Sequence, residues 1–213
     1  LMIGMEYVFL RKGPMTMGAS QLCAFAKSDS SRATPNLQFH VQPISLDKLG
    51  ASDLHDFDAF TPTVANIRPT SRGEINITSK DGREYPKIKM NYLSTQDDRK
   101  VAADGLRLAR KIVMETEEFK KYEPEEHRPG IHLQDDEELV KASSHFAQTI
   151  FHPVGTCKMG NDETSVVSDQ LKVHGVENLR VIDASIMPNI TSGNTNAPTI
   201  MIAEKGADMI LGK

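Results

Sequence analysis

The sequence predicts an α+β fold, with an antiparallel β-sheet packed against helices. Three observations carry this prediction: apolar and polar residues alternate in short runs before residue 93, Asp81-Gly82 gives a hairpin signal, and amphipathic stretches follow Ser94. Strands that come first and helices that come later favour an antiparallel sheet over the alternating units of a parallel sheet.

The strands are short runs of apolar residues bounded by polar or turn-forming residues. In the clearest run, Leu37, Phe39 and Val41 alternate with polar residues, as in a strand with one buried face. The segment 47–58 is highly charged without periodicity, which indicates a solvent-exposed connection. The predicted strands are 19–27, 37–42, 60–68, 75–78 and 87–92.

Helical periodicity begins after the last of these strands. Ser94 and Thr95 are both plausible N-caps, and Val101, Leu108 and Ile112 recur on one helix face. A polar, proline-containing loop at 122–136 and a second helix at about 135–149, which starts with four acidic residues, are predicted next.

In the last segment of the chain, short apolar runs are separated by polar loops. This pattern predicts a short strand at 173–175, a buried strand at 179–182 and a helix at 198–210. Pro198 suits the first position of that helix, and Gly212 suits its end.

Composition excludes several classes of function. A net charge of −4 offers no broad basic face for nucleic acid, and no apolar run approaches the length of about 18 residues that a transmembrane helix needs. The apolar start is broken at Arg11 and is not a signal peptide. Cys23 and Cys157 form neither a metal-ligand spacing nor a disulfide framework. We therefore expect a cytoplasmic protein, with peripheral attachment to a membrane left open.

His152 is the first candidate for chemistry. A lone histidine is more often a surface or hydrogen-bonded residue than a catalyst, but Pro153, Gly155 and Gly160 form a loop that could approach a ligand closely. Metal ligands at matching spacing are missing, so no metal is predicted. The spacing of Gly155 and Gly160 superficially resembles a phosphate-binding loop, but the Lys-Ser/Thr pair is lacking, and the chain contains no Gly-x-Gly-x-x-Gly fingerprint.

The second candidate is the polar loop 189–196, which lies between a strand and a helix N-terminus. One interpretation is a simple capped connection, with Thr195 or Asn196 as the cap. The other is a site where the free N–H groups of the helix start stabilise an anion. Position alone leaves both interpretations open.

Two long motifs resemble the glucose–methanol–choline (GMC) oxidoreductase family: FHPVGTCKMG at 151–160 and LKVHGVENLRVIDASIMPNITSGNTNAPTIMIAEK at 171–205. Within the family, the first motif is most similar to those of choline dehydrogenase and related bacterial alcohol dehydrogenases. The segment before residue 146, including RPTSRG at 68–73, resembles the more variable substrate domain.

The resemblance implies an FAD enzyme that oxidises an alcohol substrate to a carbonyl. It makes His152 the base that accepts the alcohol proton and Asn194 the second active-site residue. It also implies an electron acceptor, either quinone-type or oxygen. The implied contacts to the cofactor are Asp183, Ala184, Asn196, Ala197, Pro198 and Thr199.

The missing nucleotide fingerprint predicts that this chain is a fragment. Residues 1–149 are expected to form the substrate domain, and 150–213 the catalytic loop and the segment that completes an FAD domain whose N-terminal half is absent. Residues 179–182 would then be a strand of that absent sheet, and the chain alone would not hold FAD tightly. The alternative is a stand-alone, non-catalytic domain that retains a small-molecule pocket.

Overall fold

The computed structural model describes residues 2–18, 20–47 and 53–213. The chain divides into two compact units. Unit 1 comprises residues 1–66 and 102–147, and unit 2 comprises residues 67–101 and 148–213. The hairpin segment before residue 101, which the sequence analysis placed with the substrate domain, thus belongs by contact to unit 2.

Helices and antiparallel strands are both present, so the predicted α+β class is confirmed. The helices of the described residues are α1 (Met2–Leu10), α2 (Gln96–Glu115), α3 (Glu117–Lys120), α4 (Asp136–Phe146) and α5 (Asn196–Leu211). The strands are β1 (Leu22–Ala26), β2 (Leu37–Gln42), β3 (Thr61–Asn66), β4 (Glu74–Asn76) and β5 (Lys87–Lys89). Two short 3-10 turns span Pro14–Thr16 and Ala184–Ile186.

Unit 1 contains an antiparallel sheet with β2 between β1 and β3. Phe39 lies opposite Ala24 on one side and Val64 on the other. Leu37 and Phe39 are buried as predicted, but Gln38 between them is also buried, at 1% exposure, and Val41 is only half-buried. Strand β2 therefore lacks the single buried face that the alternation predicted. Gly105 lets α2 approach β3 closely, because a Cβ there would lie 3.1 Å from Val64 Cγ2.

The loop between α3 and α4 is held by a half-hidden ion pair. Arg110 donates to both carboxylate oxygens of Glu126, at 2.7 and 2.9 Å, and to the carbonyls of Gly130 and Leu133. The predicted loop is therefore correct, and the half-buried guanidinium of Arg110 holds it in place. Asp135 is the N-cap of α4, because its carboxylate accepts from the N–H of Glu137 at 2.8 Å.

The sequence analysis missed α1 and α3. Helix α1 is apolar apart from Glu6, and its residues are largely exposed, with Phe9 at 75%. A helix without a polar face gives no amphipathic period to detect. Helix α3 spans only 117–120, which is too short for any periodic signal.

In unit 2, β4 and β5 form the predicted hairpin, with Ile75 opposite Ile88. The strands are shorter than predicted, and the connection spans residues 77–86 instead of a tight two-residue turn. Asp81 still supplies a turn, because its carboxylate accepts from the N–H of Arg83 at 3.0 Å.

The C-terminal part of unit 2 has a small core in place of a sheet. Its buried members are Val167, Leu171, Ile186, Met187 and Ile202. The predicted strand at 179–182 is wrong in this chain: Arg180 forms one isolated bridge, with Lys172, and Leu179 is 49% exposed. A strand needs a neighbour along its whole length, and the described residues provide only this short pairing.

Helix α5 ends as predicted, at Gly212 in the left-handed conformation (φ 68°). It begins two residues earlier than predicted, so Pro198 is the third helical residue. In the middle of α5, Gly206 packs against Ile182, and a Cβ at Gly206 would lie 2.5 Å from Ile182 Cγ2. This contact holds α5 against the segment that leads to the Ala184–Ile186 turn.

Candidate active site

His152 and Asn194, which the sequence analysis paired by resemblance alone, meet in unit 2. Asn194 Nδ2 lies 2.9 Å from His152 Nε2, although 42 residues separate them along the chain. Asn194 is exposed and His152 is half-buried, so the pair lies at the surface of unit 2. An open pair of this kind can be reached by a small molecule.

Thr195 contacts the other side of the imidazole. Its hydroxyl Oγ1 lies 2.9 Å from His152 Nδ1, and its backbone N–H is directed at the same nitrogen from 3.5 Å. Thr195 is buried, with 7% exposure, so its position is fixed by packing. The ring of His152 is therefore held from both of its nitrogens.

These contacts define the tautomer of a neutral His152. Because an amide NH₂ can only donate, Nε2 must accept from Asn194, and the ring proton must then be on Nδ1. Nδ1–H can donate to the Thr195 hydroxyl oxygen. The long contact from the backbone N–H favours the opposite tautomer, but at 3.5 Å it is weaker than the two contacts at 2.9 Å.

Backbone bonds fix the loop that carries His152. The N–H groups of Cys157 and Met159 donate to the carbonyls of Ser185 and Ile186, at 3.0 and 2.8 Å. Gly155 has a φ of 87° and lies so close to this segment that a Cβ would be 3.2 Å from the carbonyl oxygen of Met187. The predicted need for glycine in this loop thus has a structural reason.

Asp162 fixes the C-terminal end of the loop that carries His152 through several hydrogen bonds. Its carboxylate accepts from the Thr164 and Ser165 hydroxyls, from the Thr164 N–H, and from Lys158 Nζ at 3.0 Å. Hydrogen bonds from Thr164 and from Lys158 hold the pKa of this carboxyl well below its usual range. Lys158 is thus engaged by both carboxylate oxygens of Asp162.

The residues predicted to contact the cofactor lie in two segments of unit 2. Asp183 uses its carboxylate to accept from the Ser185 N–H at 2.7 Å, and it caps the turn that begins at Ala184. Asn196, Ala197, Pro198 and Thr199 form the first turn of α5. The Thr199 hydroxyl donates to the Thr195 carbonyl at 2.6 Å, the same carbonyl that accepts from the Thr199 N–H.

The start of α5 can bind a polar or anionic group. Thr199 N makes the first i→i−4 bond of the helix, to Thr195, and Pro198 has no N–H. The N–H groups of Asn196 and Ala197 come before that bond, so the helix itself offers them no acceptor. Both residues are exposed. This arrangement fits an electron-rich edge of a flavin, which the helix dipole also favours.

The sequence analysis missed the role of Arg72. Its guanidinium donates to Asn189 Oδ1 at 2.7 Å and to the carbonyls of Pro69 and Ser71 at 3.0 Å. Arg72 therefore ties the 68–73 segment to the loop that leads to Asn194. Residues 68–73 matched a family motif, but no spacing rule links them to a loop more than a hundred residues later.

The carboxylate of Asp98 binds the backbone of the same segment, residues 68–73. It is 4% exposed and accepts from the N–H groups of Thr70 and Ser71 at 2.9 and 2.8 Å. Burial raises the pKa of Asp98, but hydrogen bonds from Ser71 and Thr70 outweigh burial, so the pKa lies below its usual value. Asp98 also lies in the first turn of α2, where the helix dipole favours a negative charge.

A separate cluster lies in unit 1. Asp47, His55 and His127 bring potential ligand atoms within 4.8 Å of one another. However, Arg128 lies 2.5 Å from Asp47 Oδ1, the same oxygen that contacts His55 Nε2 at 3.2 Å. A cation already neutralises the carboxylate that a metal would need. His55 stacks on Phe57 and meets His127 edge to face, so the contacts fit an ion pair beside packed rings better than a metal centre.

Among the residues that the structure describes, no helix combines the length and the apolar character needed to cross a membrane. The longest helix, α2, spans Gln96–Glu115 and carries many charged residues.

Known proteins match nearly the whole chain in sequence. The oxygen-dependent choline dehydrogenase of Pseudomonas syringae pv. tomato is 43% identical over 211 residues, covering 99% of this chain and 37% of the relative. That of Proteus mirabilis is 44% identical over 212 residues, covering 99% and 38%. This chain thus spans less than two-fifths of the length of these relatives.

Solved structures show the same fold. A formate oxidase superposes with a TM-score of 0.86 at 26% identity, covering 99% of this chain and 41% of that chain. Pyridoxine 4-oxidase from Mesorbium loti superposes with a TM-score of 0.79 at 27% identity, covering 92% and 38%.

The motifs that carry the site also match a family model, which is described as GMC oxidoreductase and aligns with residues 69–203. This range includes His152, Asn194 and the start of α5. Because the match spans more than half of the chain, and the sequence relatives agree with it, this chain belongs to the GMC oxidoreductase family.

Proposed function

We propose that this chain forms the substrate side of an FAD-dependent enzyme that oxidises an alcohol to a carbonyl, with His152 as the catalytic base. The observation that carries the proposal is the 2.9 Å contact between His152 Nε2 and Asn194 Nδ2. It places a proton acceptor beside a hydrogen-bond donor. An alcohol oxygen needs both when it loses its proton.

The two side chains act on one oxygen atom. An alcohol that enters between them would donate its O–H to Nε2 and accept from the Asn194 amide. As the proton moves to Nε2, charge develops on the oxygen, and the Asn194 N–H group stabilises it. A neutral imidazole is suited to take the proton near physiological pH.

FAD is the expected cofactor, since the solved relatives include an FAD-dependent oxidoreductase from Chaetomium thermophilum. When bound, the flavin supplies the acceptor for the hydride that leaves the alcohol carbon. The N–H groups of Asn196 and Ala197 would hold its polar edge, with Asp183 and Ala184 as further contacts. We propose that flavin binding also needs protein outside this chain, because the chain covers 37% of a choline dehydrogenase.

The substrate class is an alcohol small enough to reach an exposed pair of side chains. Several sequence relatives are named for choline, and we propose choline as the first substrate to test. For the electrons, we propose a quinone-type acceptor or oxygen, in a cytoplasmic or membrane-peripheral enzyme. Oxygen consumption compared with reduction of a quinone under nitrogen separates these two acceptors.

The decisive experiment is anaerobic flavin reduction in the flavin-containing protein. With excess alcohol, His152→Ala should lower the reduction rate by roughly 10²–10⁴-fold, the range for loss of a positioned base. His145→Ala is the matched control, because His145 is an exposed histidine on α4. An unchanged rate in His152→Ala removes this histidine from the mechanism. A protein that binds choline but never bleaches its flavin would instead be a non-catalytic binding domain.

A further inference from the structure

We propose that Thr195 is a positioning residue that selects the reactive tautomer of His152. This inference rests on the proposed function, because it matters only if His152 accepts the substrate proton at Nε2. Neither the family match nor the sequence motif gives Thr195 this role. From the sequence it was only a possible helix cap.

Thr195 does not act as an ordinary cap. Its side chain makes no capping bond to the first turn of α5. Its hydroxyl instead lies 2.9 Å from His152 Nδ1. The Thr195 hydroxyl is thus directed away from the helix and toward the imidazole.

The position of Thr195 is rigid, as a positioning role requires. The residue is 7% exposed and lies between Asn194 and the first turn of α5. Since Asn194 holds Nε2 and Thr195 holds Nδ1, two consecutive residues fix both ends of one ring. A small shift of this dipeptide would turn the imidazole as a whole.

Two groups of Thr195 compete for Nδ1. The hydroxyl oxygen can accept from Nδ1–H, which leaves the lone pair on Nε2 for the substrate proton. The backbone N–H can only donate to Nδ1, which would place the proton on Nε2 and remove the base. Because Asn194 Nδ2 donates to Nε2, the ring proton is on Nδ1, and the hydroxyl at 2.9 Å is placed to accept it. In a variant without the hydroxyl, the contact that residue 195 keeps with Nδ1 is the backbone donor at 3.5 Å.

The same hydroxyl stabilises the protonated ring. Once Nε2 has taken the proton, both ring nitrogens are donors, and Nδ1–H again needs an acceptor. Asn194 and Thr195 are both uncharged, so the hydroxyl oxygen contributes a dipole and no charge. Removing this acceptor should therefore lower the pKa of His152 as well as depopulate its reactive tautomer.

The test compares Thr195→Val, Thr195→Cys and Thr195→Ser with the unchanged protein, each carrying flavin. Valine keeps the shape and removes the hydroxyl, cysteine keeps a weaker acceptor, and serine restores the hydroxyl. Anaerobic flavin reduction by choline is measured from pH 5 to 9, about the range in which a histidine titrates, and each rate is expressed per bound flavin. Partial misfolding of a variant therefore does not count as a slow rate.

We expect Thr195→Val to lower the limiting rate roughly 10–100-fold, as removal of partners that orient a functional histidine does in metal sites. The acid limb of its pH profile should move to lower pH. Cysteine should give an intermediate rate, and serine a rate within about 3-fold of the unchanged protein. A role of Thr195 in packing alone would lower flavin content without moving the pH profile.

His152→Ala is measured in parallel, so that the two failures can be told apart. If His152→Ala reduces its flavin at the normal rate, the proposed function itself is wrong. If His152→Ala is slow while Thr195→Val keeps both the normal rate and the normal pH profile, the base stands and the role of Thr195 is wrong. A slow Thr195→Val with an unshifted profile also overturns the role in selecting the tautomer.

Discussion

Asp98 offers the sharpest test of how the site is supported. Its carboxylate accepts from the N–H groups of Thr70 and Ser71 and from the Thr70 hydroxyl, at 2.9, 2.8 and 3.1 Å. Asp98→Asn keeps the shape but replaces one acceptor oxygen with a donor. One backbone N–H of this half-buried contact then faces an NH₂ group and loses its partner.

The expected cost follows from these bonds. Losing a hydrogen bond to a charged group costs about 1.5–3 kcal/mol, and leaving a buried donor unsatisfied costs about 1–3 kcal/mol. The two estimates overlap in part, so Asp98→Asn should lower the free energy of local opening by about 3 kcal/mol. At about 1.4 kcal/mol per factor of ten, the amides of Thr70 and Ser71 should exchange roughly 100-fold faster.

Hydrogen–deuterium exchange of the peptide that covers residues 67–75 measures this opening in the flavin-containing protein. Asp97→Asn is the matched control, because Asp97 lies in the same helical turn of α2 but is only half-buried. Loss of helix-dipole stabilisation alone costs about 0.3–1 kcal/mol in either variant. Equal exchange in the two variants would refute the argument that Asp98 works through its buried bonds.

The effect of Asp98 should also depend on pH. Its folded-state pKa lies below the usual value, so its stabilisation is fully present above the unfolded pKa of about 3.9 and is lost as pH falls through the folded value. The difference in melting temperature between the unchanged protein and Asp98→Asn should be constant from about pH 5 to 8 and should narrow below about pH 4. A difference in melting temperature that grows as the pH falls would contradict this prediction.

Three further predictions follow from contacts in the two units. Gly206→Ala should destabilise by about 1–2 kcal/mol in thermal denaturation, because the clash with Ile182 outweighs the gain in helix propensity; a stabilised variant would contradict this. Arg72→Lys should slow flavin reduction roughly 3–10-fold, since an ammonium cannot reproduce the guanidinium fork; stopped-flow rates equal to those of the unchanged protein would show that this fork is dispensable. Glu126→Gln should cost about 3 kcal/mol in thermal denaturation by leaving Arg110 without its charged partner, and a loss below about 1 kcal/mol would count against that ion pair.

The strands and helices that the sequence predicted well are those with a clear period or cap. The burial of Leu37 and Phe39 and the Gly212 terminus depend on local physics and appear as expected. Helix α1 lacks such a signal because it is apolar apart from Glu6. Residues 179–182 resemble a buried strand because Leu179, Val181 and Ile182 are apolar, but a strand also requires a partner, which local sequence does not reveal.

The candidate site was predictable only in part, for a similar reason. The motif resemblance singled out His152 and Asn194, and the structure brings them to 2.9 Å. The bond from Arg72 to Asn189 and the Thr195 contact to Nδ1 are long-range hydrogen bonds between loops. No periodicity encodes such bonds, so they emerge only when the chain is folded.

The most direct test of the central claim is a crystal structure of the flavin-containing protein with a non-oxidisable alcohol analogue. We predict that the analogue oxygen lies within about 3.2 Å of both His152 Nε2 and Asn194 Nδ2, in place of their direct contact. An analogue oxygen bound elsewhere, with the His152–Asn194 contact intact, would contradict the account.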